Sequence, residues 1–512
     1  MSAETIPESV IKLIEGHVKL SIDDRDANIQ KDLIGLGLSE QDADKLRKRV
    51  DRECRLAMSN RFDRIDYPAP VTRGLGDLGN QTNTDTFRTL VSVLKERGYD
   101  ELATWMWYWS STIVMHCLGD TIGYRGGTWE FNEGNPNAGP EYVDTMIDQF
   151  LYLGGVNDLS LEGWKVSDDS ILYLGSLETL YSDEDAPGKV NVDELAERAR
   201  DIYLTQIELI ADRHPGTTTI QSLQTQRVIK WNGLPHNRDG IGAGALIRIG
   251  IFWLYTSPAL PGQEYFDYLL LAISNSVITH NSGLSILGCY CMLHLVRLAV
   301  MGEPINSWPF ELVRALKELR DINFADYSAF ASIEVLEELP LALIRYIAQW
   351  EKYISLSFAG RELDPEMRAL HSARQRYRFL SENFSKGCGT AGGCADDCLI
   401  MAYDAVLRSG GVLEKLLVYA CLHPGDSDTT GCVAFQLYNL VYASPILDSQ
   451  TETWREQLEV REQIYHLCRH RLFCWVDSYY QTYYLHHFYR LLPKYTRGMG
   501  LNKAGLDVPS SD

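Results

Sequence analysis

Ser167-Asp168-Asp169-Ser170-Ile171-Leu172-Tyr173-Leu174-Gly175-Ser176-Leu177-Glu178-Thr179-Leu180 sets Ile171, Leu174, Leu177 and Leu180 three residues apart, behind a cluster of acids and hydroxyls. That spacing predicts one buried face of a helix whose first turn is the acidic cluster. Far downstream, Asp426-Ser427-Asp428-Thr429-Thr430 repeats the arrangement between Gly425 and Gly431, ahead of the apolar run Cys432-Val433-Ala434-Phe435. Capping and the helix dipole favour such residues at any helix start. Brought face to face, however, four carboxylates repel one another unless cations lie between them. The two clusters together therefore predict a centre of hard oxygen ligands for a divalent cation.

The same helical period runs outward from these segments. Residues 105–118, 191–211, 265–278, 289–300, 332–355, 399–408 and 412–421 repeat apolar positions every three or four residues and are divided by glycine-rich turns, with few alternating stretches. The expected fold class is all-α, a compact multi-helix bundle with functional loops at helix ends. A loop rich in Pro, Gly and Asn, from Asp66 to Asn83, interrupts the first hundred residues, which otherwise read as short charged amphipathic helices. We expect a helical N-terminal extension over 1–103 that docks a substrate or partner, and a main domain over 104–512.

Composition narrows the partners. Forty-eight basic residues against 69 acidic ones leave a formal charge of -21, which disfavours a nucleic-acid backbone and suits a protein that recruits cations. No stretch reads as long enough for a bilayer; the nearest, residues 241–255, is broken by Arg248 and by glycines. Residues 1–10 lack the basic start of a secretory signal. The 11 cysteines are scattered without zinc spacing, so buried free thiols in a reducing, cytoplasmic compartment are expected.

Beyond the acidic clusters, two glycine-rich turns stand out. Gly240, Gly242 and Gly244 lead into a helix, where missing side chains let backbone N–H groups approach a pyrophosphate or let helices pack closely. Gly387, Gly389, Gly392 and Gly393 form a second such turn. His280, beside Thr279, reads either as a ligand contact or as a satisfied buried group. The run of Tyr and His from Tyr479 to Tyr489 has helical spacing and no interleaved basic residues, so it reads as a packed terminal helix.

In order along the chain, several segments carry a resemblance. They are Gly119-Asp120-Thr121-Ile122-Gly123, then Gly127-Thr128-Trp129-Glu130-Phe131, then the segment from Gly163 to Ser170. Gly240-Ile241-Gly242-Ala243-Gly244 follows, then Thr279-His280, then Gly392-Gly393 through Asp396-Asp397 to Ala402-Tyr403-Asp404-Ala405, and last the motif at Asp426. The series resembles the ADP-ribosylglycohydrolases, and within them the ADP-ribosylarginine hydrolase branch. The resemblance implies an all-helical domain with two magnesium ions between the acidic clusters. It also implies hydrolysis of the bond between the anomeric carbon of ADP-ribose and the guanidinium of arginine on an ADP-ribosylated protein, with ADP-ribose as product.

Carried over by position, the resemblance makes Ser167, Asp168, Asp169, Asp426, Asp428 and Thr429 the metal shell, with Asp168 and Asp169 catalytic. Glu130, Gly240, Gly242, Gly244, His280, Gly392, Gly393 and Asp397 would line the ADP-ribose. Magnesium suits this donor set on chemical grounds too, because carboxylates and hydroxyls are hard ligands and leave room for waters.

Three positions depart from the family pattern. Ala245-Leu246 replace a Met-Arg pair and leave Arg248 as the first arginine, Pro424 replaces a glycine, and Asp396 replaces a histidine and adds a negative charge. These departures keep two other expectations in play: a weakened relative that binds ADP-ribose or a protein, and a hydrolase of another ADP-ribosyl linkage.

Overall fold

The computed structural model describes residues 100–131, 138–179, 191–252, 267–368, 372–386, 389–442 and 449–468. Nearly all of them belong to one compact unit, 104–182 and 190–468; a second unit comprises 1–103, 183–189 and 469–512. The expected docking extension and the Tyr/His-rich stretch lie outside the described residues.

The fold is all-α. Its principal helices are α1 (Asp100–Tyr124), α2 (Tyr142–Tyr152), α3 (Asp168–Thr179), α4 (Val192–Ile210), α5 (Thr217–Gln226), α6 (Tyr268–Ser276) and α7 (Gly283–Val300). They continue as α8 (Trp308–Glu318), α9 (Ile333–Ser357), α10 (Ala373–Phe384), α11 (Ala395–Ser409), α12 (Leu413–Cys421), α13 (Ser427–Tyr442) and α14 (Ser449–Gln457). Among the described residues the only strands are the two-residue pair Phe358–Ala359 and Glu362–Leu363, joined antiparallel.

At the centre runs α7. Its cap is Ser282, whose hydroxyl accepts the Ser285 N–H, and every residue from Gly283 to Leu293 is buried. The helix packs against α6, α9, α11 and α13. Contact on all sides demands an apolar surface all round. For that reason α7, rather than residues 241–255, is the described helix long and apolar enough to cross a bilayer by length and composition; 83% of it is buried inside the protein. Each fully buried Leu or Ile here contributes about 1.5–3 kcal/mol.

What places the acidic clusters is the pairing of α1 with α13. Asn439 donates to Ser111 and Thr112, His116 Nδ1 meets Gln436 Oε1, and Ser427 donates to the Gly123 carbonyl. Residue numbers rise along one helix as they fall along the other, so the two run antiparallel. They touch backbone to backbone: a Cβ on Gly119 would sit 2.3 Å from the Gly431 oxygen, and one on Gly123 would sit 2.2 Å from the Ser427 oxygen. The glycines of the Gly119-Asp120-Thr121-Ile122-Gly123 segment are therefore needed for a close crossing.

Gly123→Ala is expected to destabilise the fold by about 1–3 kcal/mol or more, because a helix backbone cannot shift as a side chain can. Denaturant midpoints would test it; an unchanged midpoint would show that the two helices separate freely.

Candidate active site

Four chain segments meet at the N-termini of α3 and α13. Asp120, near the end of α1, accepts the Ser167 N–H with both oxygens at 3.2 and 3.1 Å and the Ser170 N–H at 3.2 Å. Ser167 Oγ accepts the Asp169 N–H at 3.2 Å, so a carboxylate from another helix and a local hydroxyl share the capping of α3. With its caps supplied this way, α3 leaves Asp168 and Asp169 free to face the second cluster. Thr429 Oγ1 donates to Asp169 Oδ2 at 2.7 Å and joins the two clusters directly.

Glu130 completes the group. One oxygen each from Glu130, Asp426 and Asp428 lie within 4.8 Å of one another. Phe131 N–H donates to the Gly425 carbonyl at 3.0 Å, which ties the Glu130 segment to the Asp426 loop. Arg125 and Trp129 both donate to Gln149 Oε1, and the Arg125 guanidinium lies 4.6 Å above the Trp129 ring. His214 stands beside Glu130, Nδ1 to Oε2 at 3.4 Å. Among the described residues, the non-glycine residues with positive φ are Arg125, Phe131 and His214, at 43°, 49° and 55°. All three surround Glu130, so backbone strain is concentrated at this rim.

Electrostatics single out the same residues. Burial and then the neighbouring Asp428 push the Asp120 carboxyl up to about 7 and Glu130 to about 12. Asp168 and Asp426 rise well above the carboxylate range for the same two reasons, burial first, and Asp169 does so through burial, then Asp168, then Asp428. Burial and mutual repulsion thus disfavour the charged forms of these carboxyls, a penalty that a cation among them would offset. Asp426 Oδ1 and Asp428 Oδ1 are buried with no hydrogen-bond partner, and Glu130 Oε2 has the His214 ring nitrogen beside it at 3.4 Å. Buried anionic oxygens without donors fit a cation, and the donors are all oxygen.

The two glycine-rich turns are paired with each other. Gly242 and Cys394 form an antiparallel bridge, Ala243 N–H donates to Gly393 O at 3.0 Å, and Ala395 N–H donates to Ile241 O at 2.9 Å. The pair abuts the acidic loop: Asp426 N–H donates to Ala391 O at 2.9 Å. A Cβ on Gly393 would sit 3.2 Å from Asp426 Oδ2. Gly392, at φ +90°, occupies the left-handed region, where a side chain would also meet Thr430. Gly240 is held by Ser282, whose hydroxyl donates to its carbonyl at 2.7 Å.

Other expected ligand contacts turn out to be supports. Both oxygens of Asp397 accept loop N–H groups, from Gly392 at 2.9 Å and Cys394 at 3.0 Å, so the residue caps α11 and shapes the turn instead of facing a ligand. Its carboxyl is pushed up to about 7 by burial. His280 is buried behind the first turn, with Nδ1 2.9 Å from Thr279 Oγ1, and a Cβ on Gly244 would sit 2.9 Å from its ring. Burial, then Arg248, lowers it to about 3, so it is a neutral buttress.

Arg248 is fully buried and committed to Asn275, Thr279 and Gly244, which removes it from any phosphate contact. The added charge of Asp396 is matched by Arg345, Nε to Oδ2 at 2.7 Å. Cys394 is disulfide-bonded, a departure from the expectation of free thiols throughout; Cys117, Cys289, Cys291, Cys398, Cys421, Cys432 and Cys468 are free and buried. With Cys394 bridged and Asp396 and Asp397 both engaged, that neighbouring cluster offers no second metal site. Asp120 supports the centre by capping α3 from another helix, and His423 through Gly425 and Thr430 of its own turn; composition carries no signal for either.

The family model described as ADP-ribosylglycohydrolase matches residues 112–480. A protein of Acanthamoeba polyphaga mimivirus named as an ADP-ribosyl glycohydrolase is 41% identical over 342 residues, covering 64% of this chain and 62% of the relative, so the match spans less than two thirds of that protein. The ADP-ribosylhydrolase ARH1 of Dictyostelium discoideum is 25% identical over 354 residues, covering 64% of this chain and 85% of that one. A solved structure described as an ADP-ribosylglycohydrolase-related protein complex aligns over 73% of this chain and 98% of its own, at 18% identity and a TM-score of 0.39. The chain belongs to the ADP-ribosylglycohydrolase family.

Proposed function

We propose that the chain is a magnesium-dependent hydrolase that cleaves the N-glycosidic bond between ADP-ribose and a modified arginine side chain, reversing mono-ADP-ribosylation of proteins. The observation that carries the reading is the convergence of Glu130, Asp426 and Asp428, with Asp426 Oδ1 and Asp428 Oδ1 buried without a hydrogen-bond partner, next to the Thr429–Asp169 link. Family membership and the relative named an ADP-ribosylhydrolase support the substrate class. Ser167, Asp168, Asp169, Asp426, Asp428 and Thr429 would hold two magnesium ions, an assignment favoured by the all-oxygen donors. When bound, the ions supply Lewis-acid polarisation and lower the pKa of a bound water.

The chain's own residues then have distinct tasks. As the glycosidic bond lengthens, positive charge grows on the ribose, and the carboxylate walls of Glu130 and Asp426 stabilise it. Asp169 is oriented by the Thr429 hydroxyl, while Asp168, beside it in the first turn of α3, accepts the proton of the attacking water. The guanidinium departs as neutral guanidine and takes up that proton, so one water adds across the bond and charge balances. The paired turns at Gly240–Gly244 and Gly392–Gly393 set side-chain-free backbone beside the acidic loop, where the ADP-ribose would lie against it.

The test is release of ADP-ribose from ADP-ribosyl-arginine with magnesium and with a chelator. Activity is expected only with magnesium. Release that persists in the chelator would overturn the metal reading, and release only from an ADP-ribosyl-serine compound would overturn the arginine assignment.

A further inference from the structure

We propose that His423 is a positioning residue that sets the conformation of the Asp426–Thr429 loop and thereby its affinity for magnesium; this rests on the reading of that loop as metal-binding. The imidazole lies buried in the turn between α12 and α13 and is gripped on both ring nitrogens. Gly425 N–H donates to Nδ1 at 3.2 Å. With Nδ1 as acceptor, the ring proton belongs on Nε2, which donates to Thr430 Oγ1 at 2.8 Å. The Thr430 hydroxyl is thereby turned toward the carbonyls of Asp426 and Ala420, at 2.8 and 2.9 Å. One rigid ring thus ties the peptide entering the loop to the first turn of α13.

The peptide it holds is the meeting point of three segments. The Gly425 carbonyl accepts Phe131 N–H from the Glu130 segment, and the next N–H, of Asp426, goes to Ala391 on the glycine-rich turn. Pro424 has no N–H to offer, so within the turn from His423 the Gly425 N–H is the next available donor, and proline fixes the φ that aims it at the ring. The substitution of proline for the family's glycine therefore stiffens the same staple that the histidine closes. The ring is fixed from the other side by Tyr377 of α10, stacked at 5.2 Å and 17°. The hydrogen bonds of its two ring nitrogens to Gly425 and Thr430 flank the loop it shapes. That marks it as a support for the ligands.

Three variants separate positioning from bulk stability. His423→Phe keeps the ring and the stacking on Tyr377 but loses both hydrogen bonds. His423→Asn keeps an acceptor for Gly425 N–H, in the manner of an Asx turn, but cannot reach Thr430. Thr430→Val removes the other end of the staple.

Each full-length protein is melted across a magnesium chloride titration, and the half-saturating concentration is read from the upward shift. For His423→Phe we expect that concentration to rise about 10–100-fold, the range for losing a group that orients a metal ligand. The melting temperature in chelator should change little, and KM for ADP-ribosyl-arginine at saturating magnesium should be unchanged. Asn should recover part of the loss, and Thr430→Val should resemble Phe. A His423→Phe protein with wild-type magnesium dependence would overturn the proposal, as would one whose melting in chelator falls in step with its magnesium affinity. If the wild type itself shows no magnesium shift, the metal reading fails first, and that is visible in the wild-type titration alone.

Discussion

Asp428→Asn is expected to lower turnover about 10²–10³-fold, in line with removing one preorganised electrostatic group, while making the metal-free protein more stable. The two effects share a cause. After burial, Asp428 is the leading charge that raises Asp120, Glu130, Asp168 and Asp426, and it also raises Asp169. An amide of the same shape keeps the packing and removes the repulsion. The lost helix-dipole interaction, about 0.3–1 kcal/mol, is the smaller term.

The effect should depend on pH with a definite sign. These carboxyls have folded pKa values raised above their unfolded ones, so the folded metal-free protein holds protons that the unfolded chain releases. That stability is fully present below about pH 4 and is lost as pH rises through the folded values, near 7 for Asp120 and higher for Glu130. Wild-type protein in chelator should therefore melt lower at pH 8 than at pH 6, and Asp428→Asn should narrow that gap. Melting curves at both pH values, beside an ADP-ribose release assay, check both halves. A variant that loses activity and melts lower at both values would mean that Asp428 is structural.

Asp404→Ala should have the largest effect on stability, about 3–5 kcal/mol, because it strands two buried guanidinium groups. Asp404 is fully buried and accepts from Arg376 Nε, Arg408 Nε and Tyr353 Oη. Burial alone would raise its carboxyl, but Arg408 and Arg376 hold it below the usual range. It lies two turns along α11 from Asp397, roughly 10 Å away at 1.5 Å per residue, so activity per folded molecule should survive. Urea unfolding would measure the loss. A midpoint near wild type would show that the arginines find other partners.

Asp404 also illustrates what could be read from residues alone. It sits in a segment that carries the family resemblance, yet its surroundings are those of a core ion pair. The helices were legible because burial on one face imposes a period, as at Val335, Leu336, Leu339, Ala342 and Leu343 in α9. The start of α7 was less so: its first turn is Gly283, Leu284 and Ser285, and the small residues there are required by close neighbours that no local pattern reveals.

At the site, Asp168, Asp169, Asp426 and Asp428 were visible because helix starts and hard metal ligands draw on the same residues. Asp120 and His423 were not: Asp120 caps a helix 47 residues away, and His423 bonds within its own turn through a loop geometry that residue type alone does not reveal. Asp397 and His280 read as candidates for ligand contact because a polar side chain near a glycine turn looks the same from sequence whether it faces the groove or braces the loop from behind.

The antiparallel pairing of α1 with α13 has a bearing on how the protein is made. Ser427 and Gly123 are 304 positions apart, and Thr429 and Asp169 are 260 apart. During synthesis at about 5–20 residues per second, α1 and α3 must wait tens of seconds beyond the ribosome before their partner exists. Through that interval Gly119 and Gly123 present a bare backbone groove, and Asp168 and Asp169 face no second wall. Closure of so long a loop comes late and is entropically costly. On the proposed metal reading, cation capture would mark finished folding: a nascent or truncated chain ending before α13 would hold half the proposed ligands and should have no tight site.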